Sequence, residues 1–260
     1  MLNKEIAMNS LVDAARRIYL DATDDDCVVK PSIPILFFGD SDRYFGSSLK
    51  VITVALNPSR KEFPDHDRFA RFRSASSVNP DHLDRDARAS YLTALNDYFR
   101  NVPYTAWFGW FEQVLLGLGT SYYSSQSNTA VHTDLCSPLA TDPTWSLLGS
   151  RQERYESEGM ALWHQLVTLL SPDVIVISVA RKYRDRIDFA NPEAWGSFVS
   201  LPRSIETKRP YVAWSQEATL PNGAVTHLLF GQAAQQPFAT LDKESRRQIG
   251  IAFREQRDGR

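Results

Sequence analysis

The chain has 260 residues, 43% of them apolar, a net charge of −2 and two cysteines. That is ample for one large α/β domain with a real core, expected as a single domain over residues 1–260 with 1–32 as an N-terminal helical extension. It excludes a disulfide framework, a four-cysteine zinc site, a four-thiolate iron–sulfur cluster and bulk attraction to nucleic acid, while leaving room for a local basic face.

Met1 to Glu5 is charged with no apolar leader segment behind it, and no apolar run approaches a membrane span. A cytoplasmic protein without membrane contact is therefore expected. The five histidines include no i, i+4 pair, and His132 with Cys136 makes too few ligands, so no metal and no cofactor is expected.

Residues 9–20 carry apolar side chains at helical spacing (Leu11, Ala14, Ala15, Ile18, Tyr19) behind Asn9 or Ser10 as cap, and the Asp24-Asp25-Asp26 run after them reads as a solvated turn. Ile35 to Phe38 predicts a short strand entered through Pro34 and left through Gly39-Asp40-Ser41. Val51 to Leu56 is uncharged and rich in β-branched residues, the pattern of a strand buried on both faces of a parallel sheet. Pro58 ends it, because proline cannot donate to a ladder and pushes Asn57 out of the helical region. The Asn57 amide is thereby presented at the carboxyl end of a strand, where open α/β sheets bind ligands. A plain turn, with Asn57 and Ser59 bonding their own backbone, is the competing account.

Arg60-Lys61-Glu62-Phe63 follows, then Arg68, Arg71 and Arg73 interleaved with Phe69 and Phe72. Cations alternating with aromatics suit a surface that holds phosphates while stacking on bases, and a solvated loop explains them equally well. Helices are predicted over 87–99 and 107–118, the second closed by Gly117 and Gly119. Thr129 to Leu135 predicts a second informative strand. Its alternation puts His132 and Asp134 on one face and Thr133 on the other, and Ser137-Pro138 terminates it. A helix over 153–170, by its Leu162, Leu166, Leu169 and Leu170 spacing, leads into a third buried strand, Val174 to Val179. Arg181, Lys182, Arg184 and Arg186 at the mouth of that strand offer a second phosphate contact or a solvated helix face. Tyr211 to Trp214 and Ala224 to Phe230 predict two more strands, with Pro221-Asn222-Gly223 as the turn. A glutamine-rich loop over 231–238 and a helix capped by Thr240 and reaching about Arg254 complete the chain.

Phe37-Phe38-Gly39-Asp40, then Ala55-Leu56-Asn57-Pro58-Ser59, then Thr133-Asp134 and a last strand and loop before a helix follow one another in order. From about Pro34 to the C-terminal helix, the chain thereby resembles the uracil-DNA glycosylase superfamily. The resemblance implies an α/β fold, a three-layer α/β/α sandwich with a central, mostly parallel sheet, and a target nucleotide flipped out of the duplex into a pocket at the strand ends. It implies that Asn57 handles the attacking water, as in the mismatch-specific branch, with Ala55 and Leu56 beside it. It also implies an aromatic that stacks on the flipped base, for which Phe72, Phe69 and Phe63 are candidates. DNA contacts are expected from Ser59, Arg60, Lys61, Arg71, Arg181 and Lys182. Gln232, in Phe230-Gly231-Gln232-Ala233, stands where relatives carry a His-Pro-Ser segment whose histidine donates to the pyrimidine; its amide would assist departure of the base. Gln235, Gln236 and Phe238 stand where relatives carry a minor-groove wedge, with a hydrophobic staple of the last helix as the alternative role of Phe238.

Where many relatives have asparagine in the second strand, the aligned residue is Asp134. An ionised carboxylate only accepts hydrogen bonds, so it repels uracil O4 and prefers a ring offering an amino group, cytosine N4. Capping a turn or pairing with an arginine is the alternative. Excision of ordinary cytosine would destroy the host's own genome. A modified cytosine, as in some phage DNA, is therefore the expected target and antiphage defence the expected role. The expected activity is that of a monofunctional DNA glycosylase, a monomer acting on DNA and leaving an abasic site. Uracil excision for repair and a non-catalytic nucleic-acid binder of the same fold stay open. So does an ester hydrolase, because the predicted strand running into Gly39-Asp40-Ser41 resembles the GDS type with Ser41 as nucleophile, although no Asp and His three apart follow near the C-terminus.

Overall fold

Uncharged runs rich in Val and Ile are stiff at χ1 and pack well on a pleated surface, and here they build the sheet. The computed structural model describes residues 2–80, 82–123, 125–203 and 209–259. Among these residues a seven-stranded sheet is formed by β1 (Val51–Ala55), β2 (Thr120–Ser121), β3 (Asn128–Asp134), β4 (Val174–Ile177), β5 (Gly196–Leu201), β6 (Tyr211–Thr219) and β7 (Val225–Gly231), in the order β2-β3-β1-β4-β7-β6-β5. β1 pairs with β4 and β4 with β7 in parallel, Val51 opposite Val174 and Val174 opposite His227. β5, β6 and β7 pair antiparallel. Every residue of β1 and β4 is buried, which is why both read as unbroken apolar runs instead of alternating ones.

The described helices are α1 (Leu2–Asp21), α2 (Ser41–Gly46), α3 (Arg85–Asn96), α4 (Thr105–Leu118), α5 (Arg151–Leu170), α6 (Arg181–Arg184) and α7 (Lys243–Asp258). With a mostly parallel mixed sheet and helices between its strands, the chain is of the α/β class, as the sequence predicts of an α/β/α sandwich. No described helix is long and apolar enough to cross a membrane.

Several expectations are corrected. Ile35 to Phe38 is buried but is not a strand: only Phe38 bridges, antiparallel to His132, while Ile35 N–H donates to the Pro138 carbonyl at 2.8 Å. Burial there comes from side-chain packing without a ladder. α1 begins well before Asn9. α7 is capped by Asp242, whose carboxylate accepts from Ser245 N–H at 2.7 Å, and Thr240 instead accepts from Arg203. A carboxylate at this position also suits the positive end of the helix.

The chain divides into two compact units, each of three segments: Met1–Ser41, Leu56–Tyr104 and His132–Leu170 form one, and Asp42–Ala55, Thr105–Val131 and Ser171–Arg260 the other. In the first unit α1 packs against α5; in the second α4 packs against α7.

Candidate functional site

The residues leaving β1 and those leaving β3 run side by side within the first unit. Cys136 N–H donates to the Leu56 carbonyl at 2.8 Å, and Arg60 N–H to the Thr141 carbonyl at 3.3 Å. The close approach of α5 to this exit depends on Gly159, where a Cβ would lie 2.0 Å from the Cys136 carbonyl oxygen. Trp163, one turn further along α5, donates its indole N–H to Thr133 Oγ1 at 3.0 Å. Thr133 is thereby turned to one face of β3 and His132 and Asp134 to the other, as strand alternation predicts.

Asn57 is half-buried at the end of β1. Its Nδ2 donates to the Pro58 carbonyl (2.8 Å), the Leu139 carbonyl (3.1 Å) and Thr141 Oγ1 (2.9 Å). Three acceptors around one nitrogen fix which way the amide faces and leave Oδ1 as its open acceptor. Ser59, which comes next after Pro58, caps a one-turn helix over Arg60–Glu62 by accepting from Lys61 N–H at 3.1 Å.

That turn sends Glu62 inward. Its side chain is 4% exposed, Oε2 accepts from the Tyr98 hydroxyl, and Arg71 Nε lies 3.7 Å from the same oxygen. Burial pushes the Glu62 carboxyl up to about 7 and the nearby charge of Asp134 adds to this, while the Tyr98 hydrogen bond and Arg71 pull it down. Burial beside Glu62 likewise pushes the Tyr98 hydroxyl well above its ordinary value.

Asp134 is the least compensated group of the set. Its side chain is 2% exposed, yet neither Oδ1 nor Oδ2 has a hydrogen-bond partner; the nearest cationic candidate is His132 Nε2, 3.6 Å from Oδ1. Arg71 Nε is also buried without a hydrogen bond. Buried polar atoms are almost always paired, because leaving one unpaired costs about 1–3 kcal/mol and more for a charge. Two carboxylate oxygens and a guanidinium N–H in one neighbourhood thus have only ion-pair partners, His132 for Asp134 and Glu62 for Arg71, and no hydrogen bond.

Aromatics knit the cluster together. Phe38 packs on Tyr98 (centroids 4.7 Å apart) and on His132 (5.5 Å), and Phe72 packs on Tyr98 (5.3 Å). Phe63 and Phe72, expected to stack on a base, stack on each other at 5.3 Å and are fully buried in the core beside Tyr98. Phe69 meets Phe63 edge-on at 6.1 Å. Ala55 is buried as the last residue of β1, and Leu56 is half-buried after it.

The expected phosphate contacts divide between the units. In the first, Arg60 is paired with Asp65 and Asp142, both at 2.7 Å, Arg68 with Asp65 and Arg73 with Asp67. Arg60 and Arg68 border an open cleft of about 350 Å³ in which Asp25, Asp26 and Asp142 balance the cations. Lys61 is exposed. In the second unit Arg181 lies over the Trp214 ring at 5.3 Å and Lys182 over Tyr183 at 4.7 Å. Gln232, Gln235 and Gln236 are exposed there, and the Gln232 carbonyl accepts from the Tyr211 hydroxyl at 2.8 Å. Phe238 is buried against Phe111 and Tyr211. Ser41 opens α2 with its hydroxyl and N–H both donating to Asn96 Oδ1, at 2.8 and 2.9 Å. Among the described residues no group of three or more His, Cys, Asp and Glu side chains is arranged to hold a metal ion.

Glu62, Tyr98 and His132 are the members of the cluster that sequence reasoning passes over. Nothing in the Arg60-Lys61-Glu62 triplet marks Glu62 as the one turned inward; the one-turn helix that buries it shows only in the structure. The fold and the site together define an α/β protein with an incompletely paired carboxylate cluster at neighbouring strand ends. Compared with known proteins, the chain matches no family model and no curated protein.

Proposed function

We propose that this chain is a monofunctional DNA glycosylase that hydrolyses the N-glycosidic bond of a flipped-out, modified cytosine and leaves an abasic site. The observation that carries this reading is Asp134, a carboxylate buried at a strand end with neither oxygen hydrogen-bonded. Such a group lacks donors, and an exocyclic amino group such as cytosine N4 supplies them, whereas uracil would turn a carbonyl toward it. Asn57 Oδ1 accepts from the attacking water, and its tied-down Nδ2 keeps the amide from turning. Charge develops on the departing ring inside a water-poor, aromatic-walled cluster, where each remaining polar group acts more strongly than in solvent. The chemistry proposed rests on residues of the first unit alone. Ordinary cytosine must be spared in host DNA, so the hydroxymethylated or glucosylated cytosines of phage genomes are the proposed targets and antiphage defence the proposed role.

Mass spectrometry of bases released from DNAs containing uracil, cytosine, methylcytosine, hydroxymethylcytosine and glucosylated cytosine tests this. A modified cytosine should be released with no strand nick, and Asn57→Ala should slow release by about 100-fold or more with DNA binding retained. Release of nothing from any DNA overturns the enzyme, and release of uracil alone overturns the specificity.

A further inference from the structure

Glu62 sits five residues after Asn57, on the same exit from β1, and is more deeply buried than a carboxyl in an Arg-Lys-Glu run should be. Oε2 is held by the Tyr98 hydroxyl, Tyr98 packs on Phe38, Phe38 on His132, and His132 Nε2 lies 3.6 Å from Asp134. Arg71 Nε, at 3.7 Å, is too far from Oε2 to bond it, so the Tyr98 hydroxyl is the group that holds that oxygen.

We propose that Glu62 is a further catalytic residue, the acid half of a carboxyl pair that reads a cytosine-type ring: Asp134 accepts from the N4 amino group while the Glu62 O–H donates to N3 and passes its proton there as the base leaves. This rests on the glycosylase reading and adds the proton source that reading lacks. Cytosine presents a donor, N4–H, beside an acceptor, N3. Two ionised carboxylates would match only the first and would repel each other, whereas one ionised and one protonated carboxyl match both. The groups facing Glu62 are Tyr98, Arg71 and the Asp134 charge, with His132 beyond Asp134, and together with burial they leave its carboxyl titrating near neutrality, where an acid catalyst is most effective.

The step balances. Water bonds through oxygen to C1′, the N1–C1′ bond breaks with its electron pair passing into the ring, and the Glu62 proton moves to N3 so that the base departs neutral. The proton lost by the water returns Glu62 to its acid form. No imidazole is needed after β7, where the sequence provides none.

Two measurements on the full chain test this. In single-turnover base release from modified-cytosine DNA, the wild-type rate should fall about tenfold per pH unit above about 7; Glu62→Gln should lose that limb and about 100-fold in rate. Tyr98→Phe removes a hydrogen bond that favours the carboxylate and should move the limb to higher pH, which serves if Glu62→Gln does not fold. Separately, the Glu62 carboxyl is followed by carbon-13 NMR with 5-hydroxymethyldeoxycytidine or deoxyuridine added. The cytosine nucleoside should raise its midpoint by about one pH unit or more, and deoxyuridine should leave it in place. A Glu62→Gln profile superimposable on wild type overturns the role of Glu62 and leaves the glycosylase standing. No base release from any DNA, with the nucleoside shift present, overturns the glycosylase and leaves recognition by Glu62 standing. No shift with either nucleoside overturns that recognition.

Discussion

β1 and β4 pair in register along the middle of one sheet, yet their exits are finished in opposite ways. Beyond β4, Ser178 donates to the Gly231 carbonyl at 2.8 Å and accepts from Phe238 N–H at 2.9 Å, and the Phe238 ring fills the space over Gly231. Polar groups there are closed against one another. Beyond β1, Asn57 is tied at one end only, Glu62 is held at one oxygen, and Asp134 and Arg71 keep buried atoms with no hydrogen bond. Strand interiors of equal burial thus do not separate the two exits; the imbalance of donors and acceptors at their ends does, because an unpaired buried group is rare and calls for an explanation.

The largest expected effect lies at the open end and is a pH dependence. Folding raises the Glu62 carboxyl from its ordinary 4.5 to about 7, so the native state holds a proton that the unfolded chain gives up. The stability linked to it is complete below about pH 4.5 and is lost as pH rises through about 7. Urea unfolding should show wild type losing about 3 kcal/mol relative to Glu62→Gln between pH 4.5 and 8. Parallel profiles would mean that Glu62 is as well compensated as Ser178.

The closed end yields to volume instead. At Gly231 a Cβ would lie 2.2 Å from Phe238 Cε1 and 2.8 Å from Tyr211 Oη, and Phe238 itself is held at a positive φ of 50°. Gly231→Ala should therefore cost about 2 kcal/mol by urea unfolding, as overpacking of a filled core does. A neutral substitution would show that this end has room after all.

The same contrast explains what could be read from the residues. β1 and β4 were legible because burial on both faces demands uncharged, β-branched runs, Pro58 marks where β1 must stop, and β3 was legible as a Thr- and Val-containing run ended by Ser137-Pro138. β2 has two residues, too few for any period, and β5 is partly exposed and paired on one side only, so neither carries a pattern. Ile35 to Phe38 carried the pattern without the ladder, since apolar burial and strand pairing leave the same trace in so short a run. At the site, Asn57 and Asp134 could be singled out by their places at strand ends. Glu62 was hidden inside a charged triplet that reads as solvated, and the pairing of Arg71 with it and of Arg60 with Asp65 and Asp142 depends on contacts that sequence spacing does not encode.

Asp134→Asn gives the smallest change in stability and the sharpest division between the two ends. At a closed position, replacing a hydrogen-bonded group leaves its partners unpaired and destabilises. Asp134 has no hydrogen-bond partner to leave, and the imidazole 3.6 Å away offers little to offset the desolvation of a buried charge. The amide removes that charge while keeping the shape, so unfolding should show a gain of about 1 kcal/mol. Activity should move the other way, because an Asn side chain donates through Nδ2 as well as accepting through Oδ1 and so no longer opposes uracil O4. Base-release assays should find modified cytosine lost and uracil gained as substrate. A variant that is both less stable and unchanged in substrate would place Asp134 among the closed, structural groups with Ser178.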